Sequence, residues 1–280
     1  MSGKPPHLDW LVDTGQTVKT ACGGSVRVWE LKHKDDASVL SDWARHFRNH
    51  YCTDALIDKL RGKRSRQDYL ENIKFPSKSS KLGPPTRAGD FAEILICDYL
   101  EWRLGFWVPR VRWNNKPTRD ESPKGCDVIG FQFAKQGKVS PQDVLTVFES
   151  KAALSGSSGN RLQDAVNDSA KDQVRIDESL NFIKQKLLEQ GRQVEASNVE
   201  RFQNPVDVPY QEIYGAAALL SGPFDVNTVT TTDSRKVPVS KKSKAVKPHP
   251  HQQTLTMIVI KGDDVMTLVH ELYRRAAHEA

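Results

Sequence analysis

Apolar and polar residues follow two styles along this chain, and the change falls near Arg87. Before it, Ser25 to Lys32 has the apolar character of a strand, and Ala37 to Tyr51 repeats apolar positions at helical spacing. A basic turn follows, then a short helix that ends at the Phe75-Pro76 break. The segment SKSSKLGPP (Ser77 to Pro85) is punctuated as loops are, and it predicts a boundary. Residues 1–85 therefore read as an irregular α/β extension, and residues 86–280 as the main domain.

Beyond Arg87 the pattern is regular. GDFAEILICDYLEWRLG follows a Pro-rich loop, has an acid in its first turn and stops at Gly105, which predicts a helix. Three strand-like runs come next: Phe106 to Trp113, Cys126 to Phe133 and Val144 to Ala152. A Ser/Gly-rich link leads into one long helix from about Arg161 to Gln190. Further strands are expected at Ile213 to Leu220 and Thr254 to Ile260, and a last helix from Asp263 to His278. Helices interleaved with short apolar strands predict one mixed α/β sheet.

Composition narrows the class. The chain has 280 residues, 38% hydrophobic and 27% charged, which fits a globular protein with a charged surface. No apolar run approaches the roughly 20 residues that span a bilayer. The start, MSGKPPHLDW, has no apolar signal region, so a cytoplasmic protein is expected. Cys22, Cys52, Cys97 and Cys126 form no CxxC pair and read as reduced thiols. His46/His50 and His249/His251 are metal-like pairs; the first falls at i,i+4 on the expected helix with no third ligand evident nearby, and both pairs read as structural or surface residues.

The net charge of +6 permits a polyanionic partner, and the charge distribution says more. Between Asp233 and Asp263 lie seven Lys/Arg residues and no acid. Within that stretch Lys241, Lys242, Lys244 and Lys247 are candidates for phosphate contact, a solvated loop being the alternative.

The sharpest chemical signal is at the end of the third run. Side chains alternate along a strand, so Leu145, Val147, Glu149 and Lys151 share a face. An apolar strand that turns into Glu-x-Lys places both charges at a sheet rim. Asp127 stands at the start of the neighbouring run. Two carboxylates suit Mg²⁺ or Mn²⁺, which take hard oxygen ligands, water and phosphate. Such an ion polarises a scissile phosphate, and a lysine beside it orients water or offsets charge. Glu93 shares a helical face with Ile96, Cys97, Leu100 and Leu104. It therefore lies in solvent at the end of the stripe or faces a lysine or metal in the cleft. Glu30-Leu31-Lys32 is a second Glu-x-Lys at a strand end, with Asp13 upstream but no acidic helix before it, and serves as the comparison. Gln163, Asn167 and Lys171 recur every four residues on the expected long helix, as a site-facing or a solvated face. The chain has no G-x-x-x-x-G-K-[ST] loop, so no ATP motor is expected in it.

The segments GDFAEILICDYLE, KGCDVIGF and VFESKA together resemble the PD-(D/E)xK nuclease superfamily. With SRQDYLENIKFPS upstream and DSAKDQVRI downstream, they resemble more narrowly HamA, the nuclease-like component of the Hachiman bacterial anti-phage system. The resemblance runs from about Val26 to Leu187. It implies a restriction-endonuclease-like fold, a mixed sheet flanked by helices, with Asp127, Glu149 and Lys151 at the family's metal and catalytic positions and Glu93 as its helix acid. Cys126 stands where the superfamily name has proline. The resemblance also implies a separate ATP-dependent helicase, HamB, as partner. The expected function is thus a metal-dependent DNase, effector of a two-component defence system. The alternatives are an RNase of the same chemistry and a restriction-fold module that binds DNA or a helicase without cutting.

Overall fold

Strands β1 (Leu11–Lys19), β2 (Ser25–Leu31), β3 (Val128–Gln132), β4 (Val144–Ala153), β5 (Gln211–Leu220) and β6 (Thr256–Lys261) build one sheet. Their order across it is β1-β2-β6-β5-β4-β3. The four inner strands run parallel, and β1 and β3 close the edges antiparallel. The computed structural model describes residues 3–135, 137–155, 160–222, 249–251 and 253–280. Lys241, Lys242, Lys244 and Lys247 lie outside the described residues.

The helices are α1 (Ala37–Tyr51), α2 (Asp54–Leu60), α3 (Arg66–Tyr69), α4 (Gly83–Leu104), α5 (Arg161–Ser169), α6 (Ile176–Glu189), α7 (Gln193–Glu200) and α8 (Val265–His278). Alternation along β4 assigns its two faces. Val144 and Phe148 join the core that includes Trp43, Phe47, Phe91 and Tyr273, under α1, α4 and α8. Leu145 and Val147 join a second core with Leu162, Val166, Leu180 and Phe202, under α5, α6 and α7. Parallel strands covered on both faces explain why β5 reads as an unbroken apolar run, AAALL. β2 pairs with β6, so residues from both sides of position 85 share this sheet.

Several expectations change. Phe106 to Trp113 is not a strand; Trp107 makes one isolated bridge to Phe131, and Arg110 takes a left-handed φ of 56°. Pro109 has no N–H to give a ladder, and side-chain ion pairs of Arg110 and Arg112 hold the segment instead. The long helix from Arg161 to Gln190 is broken. α5 ends at Ser169, a 3-10 turn spans Asp172–Val174, and α6 starts at Ile176. Ser169 Oγ donates back to the Val166 carbonyl at 3.0 Å, a contact that competes with helix continuation. Lys171 therefore falls beyond the helix on which its spacing placed it. α4 starts at Gly83, inside the expected loop, because Pro84 and Pro85 occupy the first turn, where no N–H is needed; that turn carries no acid. β1 and α7 carry no clear period and are legible only in the structure.

Candidate active site

Asp127 stands one residue before β3, and its Oδ2 accepts the Ser150 N–H of β4 at 3.1 Å. The antiparallel register pairs Val128 with Phe148, which carries Asp127 alongside Glu149. Gly125 makes the approach possible. Its φ is 102°, and a Cβ there would meet Ser179 Oγ at 2.8 Å. Ser179 Oγ in turn accepts the Cys126 N–H at 3.0 Å.

On β4, Glu149 is 3% exposed. Its Oε1 accepts from Lys151 Nζ, while Oε2 is buried with no partner among the described residues. Burial, helped by the charge of Asp127, pushes the Glu149 carboxyl up to about 9, against the pull of Lys151. Lys151 Nζ also reaches Asp168 Oδ2 on α5 at 2.9 Å, and Asp168 holds Lys171 as well. Despite burial, the carboxylates around Lys151 raise its pKa, so it stays a cation.

Glu93 does not lie in solvent, and its hydrogen-bond partner is an arginine. It is 4% exposed and accepts Arg112 Nε at 3.0 Å. The same guanidinium donates through Nη2 to Asp127 Oδ1 at 3.0 Å and to the Pro123 carbonyl at 2.7 Å. Its Nη1 donates to the Cys126 carbonyl at 2.8 Å. Burial pushes the Glu93 carboxyl up to about 8, against the pull of Arg112 and with the repulsion of Asp127. Asp127 is thus the hinge between two groups: Glu93 with Arg112 on one side, Glu149 with Lys151 and Asp168 on the other.

Asp172 completes the surroundings. It is fully buried, and neither carboxylate oxygen has a partner among the described residues. Burial and the nearby Asp127 raise its carboxyl to about 7. The thiol of Cys126 lies at the same place, and burial keeps it protonated. A cavity of about 220 Å³ adjoins Asp127, lined in part by Arg112, Trp113, Ser179 and Phe182.

Asp127, Glu149 and Lys151 are therefore brought together, and Glu93 is joined to Asp127 through an arginine. The carboxylates do not close into a ligand triad. Among the described residues, three His, Cys, Asp or Glu ligand atoms converge within 4.8 Å only at His7, His46 and Asp98. Gln163 is buried and donates to Asn167 Oδ1 at 2.9 Å along α5. The comparison motif is different in kind. Glu30 and Lys32 pair at 3.2 Å with side chains 41% and 57% exposed, and Asp13 is engaged by Arg27 instead. Sequence reasoning missed Arg112, Asp168 and Asp172. The last two are legible afterwards as an acid pair flanking Lys171 in DSAKD; an arginine in an apolar RVRW gave no such signal.

No helix among the described residues is long and apolar enough to cross a membrane. The Hachiman protein HamA of Bacillus cereus is 29% identical over 139 residues, 48% of this chain and 47% of that protein. The chain thus spans about half the length of the relative it matches. The HamA family model matches residues 5–276. With a match over nearly its whole length, the chain belongs to the HamA family.

Proposed function

We propose that this chain is a metal-dependent nuclease of the PD-(D/E)xK type that cuts DNA as the effector of a Hachiman anti-phage system. The observation that carries the reading is Glu149 Oε2, a buried carboxylate oxygen without a partner among the described residues, on the strand that also presents Lys151 and beside Asp127. An unmatched buried acceptor is costly unless a proton or cation meets it. Asp127 and Glu149 supply the hard oxygen donors that Mg²⁺ or Mn²⁺ takes, with water and phosphate filling the other positions. When bound, the ion polarises the phosphate and acidifies a water. Lys151 Nζ, steadied by Asp168, orients that water or offsets charge on the phosphate. Arg112 fixes Asp127 from the other side.

A binding-only module is the second reading. It is favoured by one observation: the guanidinium of Arg112 lies between Glu93 and Asp127, two of the three acids expected to hold metal.

Membership of the HamA family supports the rest of the reading, an ATP-dependent helicase of the HamB kind as partner. Its docking surface falls in residues 1–85, where Leu56, Leu60 and Ile73 are 39%, 52% and 45% exposed.

The test incubates the purified chain, with and without that helicase and ATP, with plasmid DNA and RNA. Cleavage of DNA that needs Mg²⁺ or Mn²⁺, stops with EDTA and returns on adding Mg²⁺ supports the nuclease. DNA binding without cleavage under every condition supports the binding module. Activity that survives thorough chelation overturns the metal mechanism. Co-elution with the helicase at micromolar concentration, and cleavage that depends on ATP, support the two-component reading; separate elution contradicts it.

A further inference from the structure

Away from the candidate nuclease site, three ligand-type side chains from three elements converge. His7 comes from a 3-10 helix (Pro6–Asp9), His46 from α1 and Asp98 from α4. His7 Nε2 lies 3.0 Å from Asp98 Oδ2, and His46 Nε2 lies 3.0 Å from Asp98 Oδ1. The sequence presents His46 and His50 as a helical pair; only His46 enters the cluster, and its two other groups come from residues far apart in the chain.

We propose that His7, His46 and Asp98 bind a transition-metal cation of the zinc class, at a site separate from the carboxylate site. Two imidazole nitrogens and a carboxylate oxygen are a donor set that zinc accepts, with water in the fourth position. In tetrahedral geometry these atoms lie about 2.0 to 2.2 Å from the ion and so roughly 3.4 Å from one another. One ring nitrogen of each histidine and one carboxylate oxygen of Asp98 lie within 4.8 Å of one another, so side-chain rotations that draw them together seat the ion.

The surroundings agree with a cation. Arg110 Nη2 lies 2.6 Å from both Asp98 Oδ1 and Glu101 Oε2, so two carboxylates face one guanidinium and a negative charge remains. Arg110 engages Oδ1, which leaves Oδ2, on the His7 side, to the ion. Arg110 Nη1 also lies 2.6 Å from His50 Nε2, and His50 Nδ1 lies 2.9 Å from the His46 carbonyl, which ties the turn of α1 that carries His46 to the same arginine. His7 and Asp98 are buried, but the His46 side chain is 26% exposed and gives the ion and its water a way in. A bound ion ties the N-terminal 3-10 helix and α1 to α4, the helix that carries Glu93.

The experiment titrates Zn²⁺ calorimetrically into the reduced, chelator-treated full chain and records thermal unfolding with and without Zn²⁺. One equivalent should bind, and binding should persist in Glu149→Ala and His249→Ala, which remove the other candidate ligand sets. His46→Ala and His46→Gln should each weaken it by more than about tenfold, the scale on which even outer partners act. Zn²⁺ should raise Tm in the wild type and leave both His46 variants unmoved, since only a ligand that binds the folded state stabilises it. No uptake by the wild type, or equal affinity in the His46 variants, overturns the site. Neither result bears on the nuclease reading.

Discussion

Arg112 and Asp127 share a hydrogen bond of 3.0 Å, and the same guanidinium holds Glu93 and two backbone carbonyls. Four acceptors on one side chain 11% exposed make Arg112 the counter-charge of the site's inner wall. Arg112→Met leaves Glu93 and Asp127 without their buried hydrogen-bond donor, and should cost about 1 to 3 kcal/mol in urea unfolding. Adding Glu93→Met removes the orphaned acid as well, so the double variant should lose less than the sum by roughly 1 to 3 kcal/mol. Strict additivity would mean the pair is not coupled.

Asp172 predicts a pH dependence of stability. Burial and Asp127 raise its folded carboxyl to about 7, well above its ordinary value. A raised carboxyl pKa means the folded state holds a proton that the unfolded state has released. Its stabilisation is therefore full below about pH 4 and is lost as pH rises through about 7. Asp172→Asn should remove that loss and make the chain more stable than wild type at pH 8, by a few kcal/mol. Parallel stability curves for the two proteins across pH 5 to about 8 would show that Asp172 is not protonated in the fold.

Much of the sheet was legible because its strands are apolar runs bounded by turn residues. β4 and β5 lie where the pattern places them, and Glu149 and Lys151 share a face as period-two alternation requires. The parts that were not legible depend on contacts distant in sequence. RVRW alternates like a strand, but its arginines are drawn to acids on α4 and to Asp127, and those ion pairs decide its path. β1 reads LVDTGQTVK, a polar edge strand with a register shift between Asp13 and Thr17, so alternation is lost. Periodicity ran straight through Ser169 to Asp172, where a buried serine and acid break the helix.

The lysine-rich stretch before β6 carries a prediction from sequence alone. If it binds phosphate, neutralising Lys241, Lys242, Lys244 and Lys247 together should flatten the dependence of DNA affinity on salt, by about 0.9 in log-log slope for each phosphate no longer neutralised. Sequence preference should not change. An unaltered slope in a filter-binding or anisotropy series would assign these lysines to a solvated loop.

The central claim is that one of two Glu-x-Lys strand ends is the cutting site. Glu149 is buried beside Asp127, with Lys151 held by Asp168, whereas Glu30 and Lys32 form an exposed pair. The most direct measurement is the rate of Mg²⁺-dependent DNA cleavage by six soluble single variants in the activated complex. Asp127→Ala, Glu149→Ala and Lys151→Ala should fall at least about a hundredfold, the scale for losing one preorganised group at a charged transition state. Glu30→Ala and Lys32→Ala should cut at the wild-type rate, and Asp168→Ala, which only steadies Lys151, should fall in between. Wild-type cleavage by any of the first three, or loss confined to Glu30 and Lys32, would contradict the account.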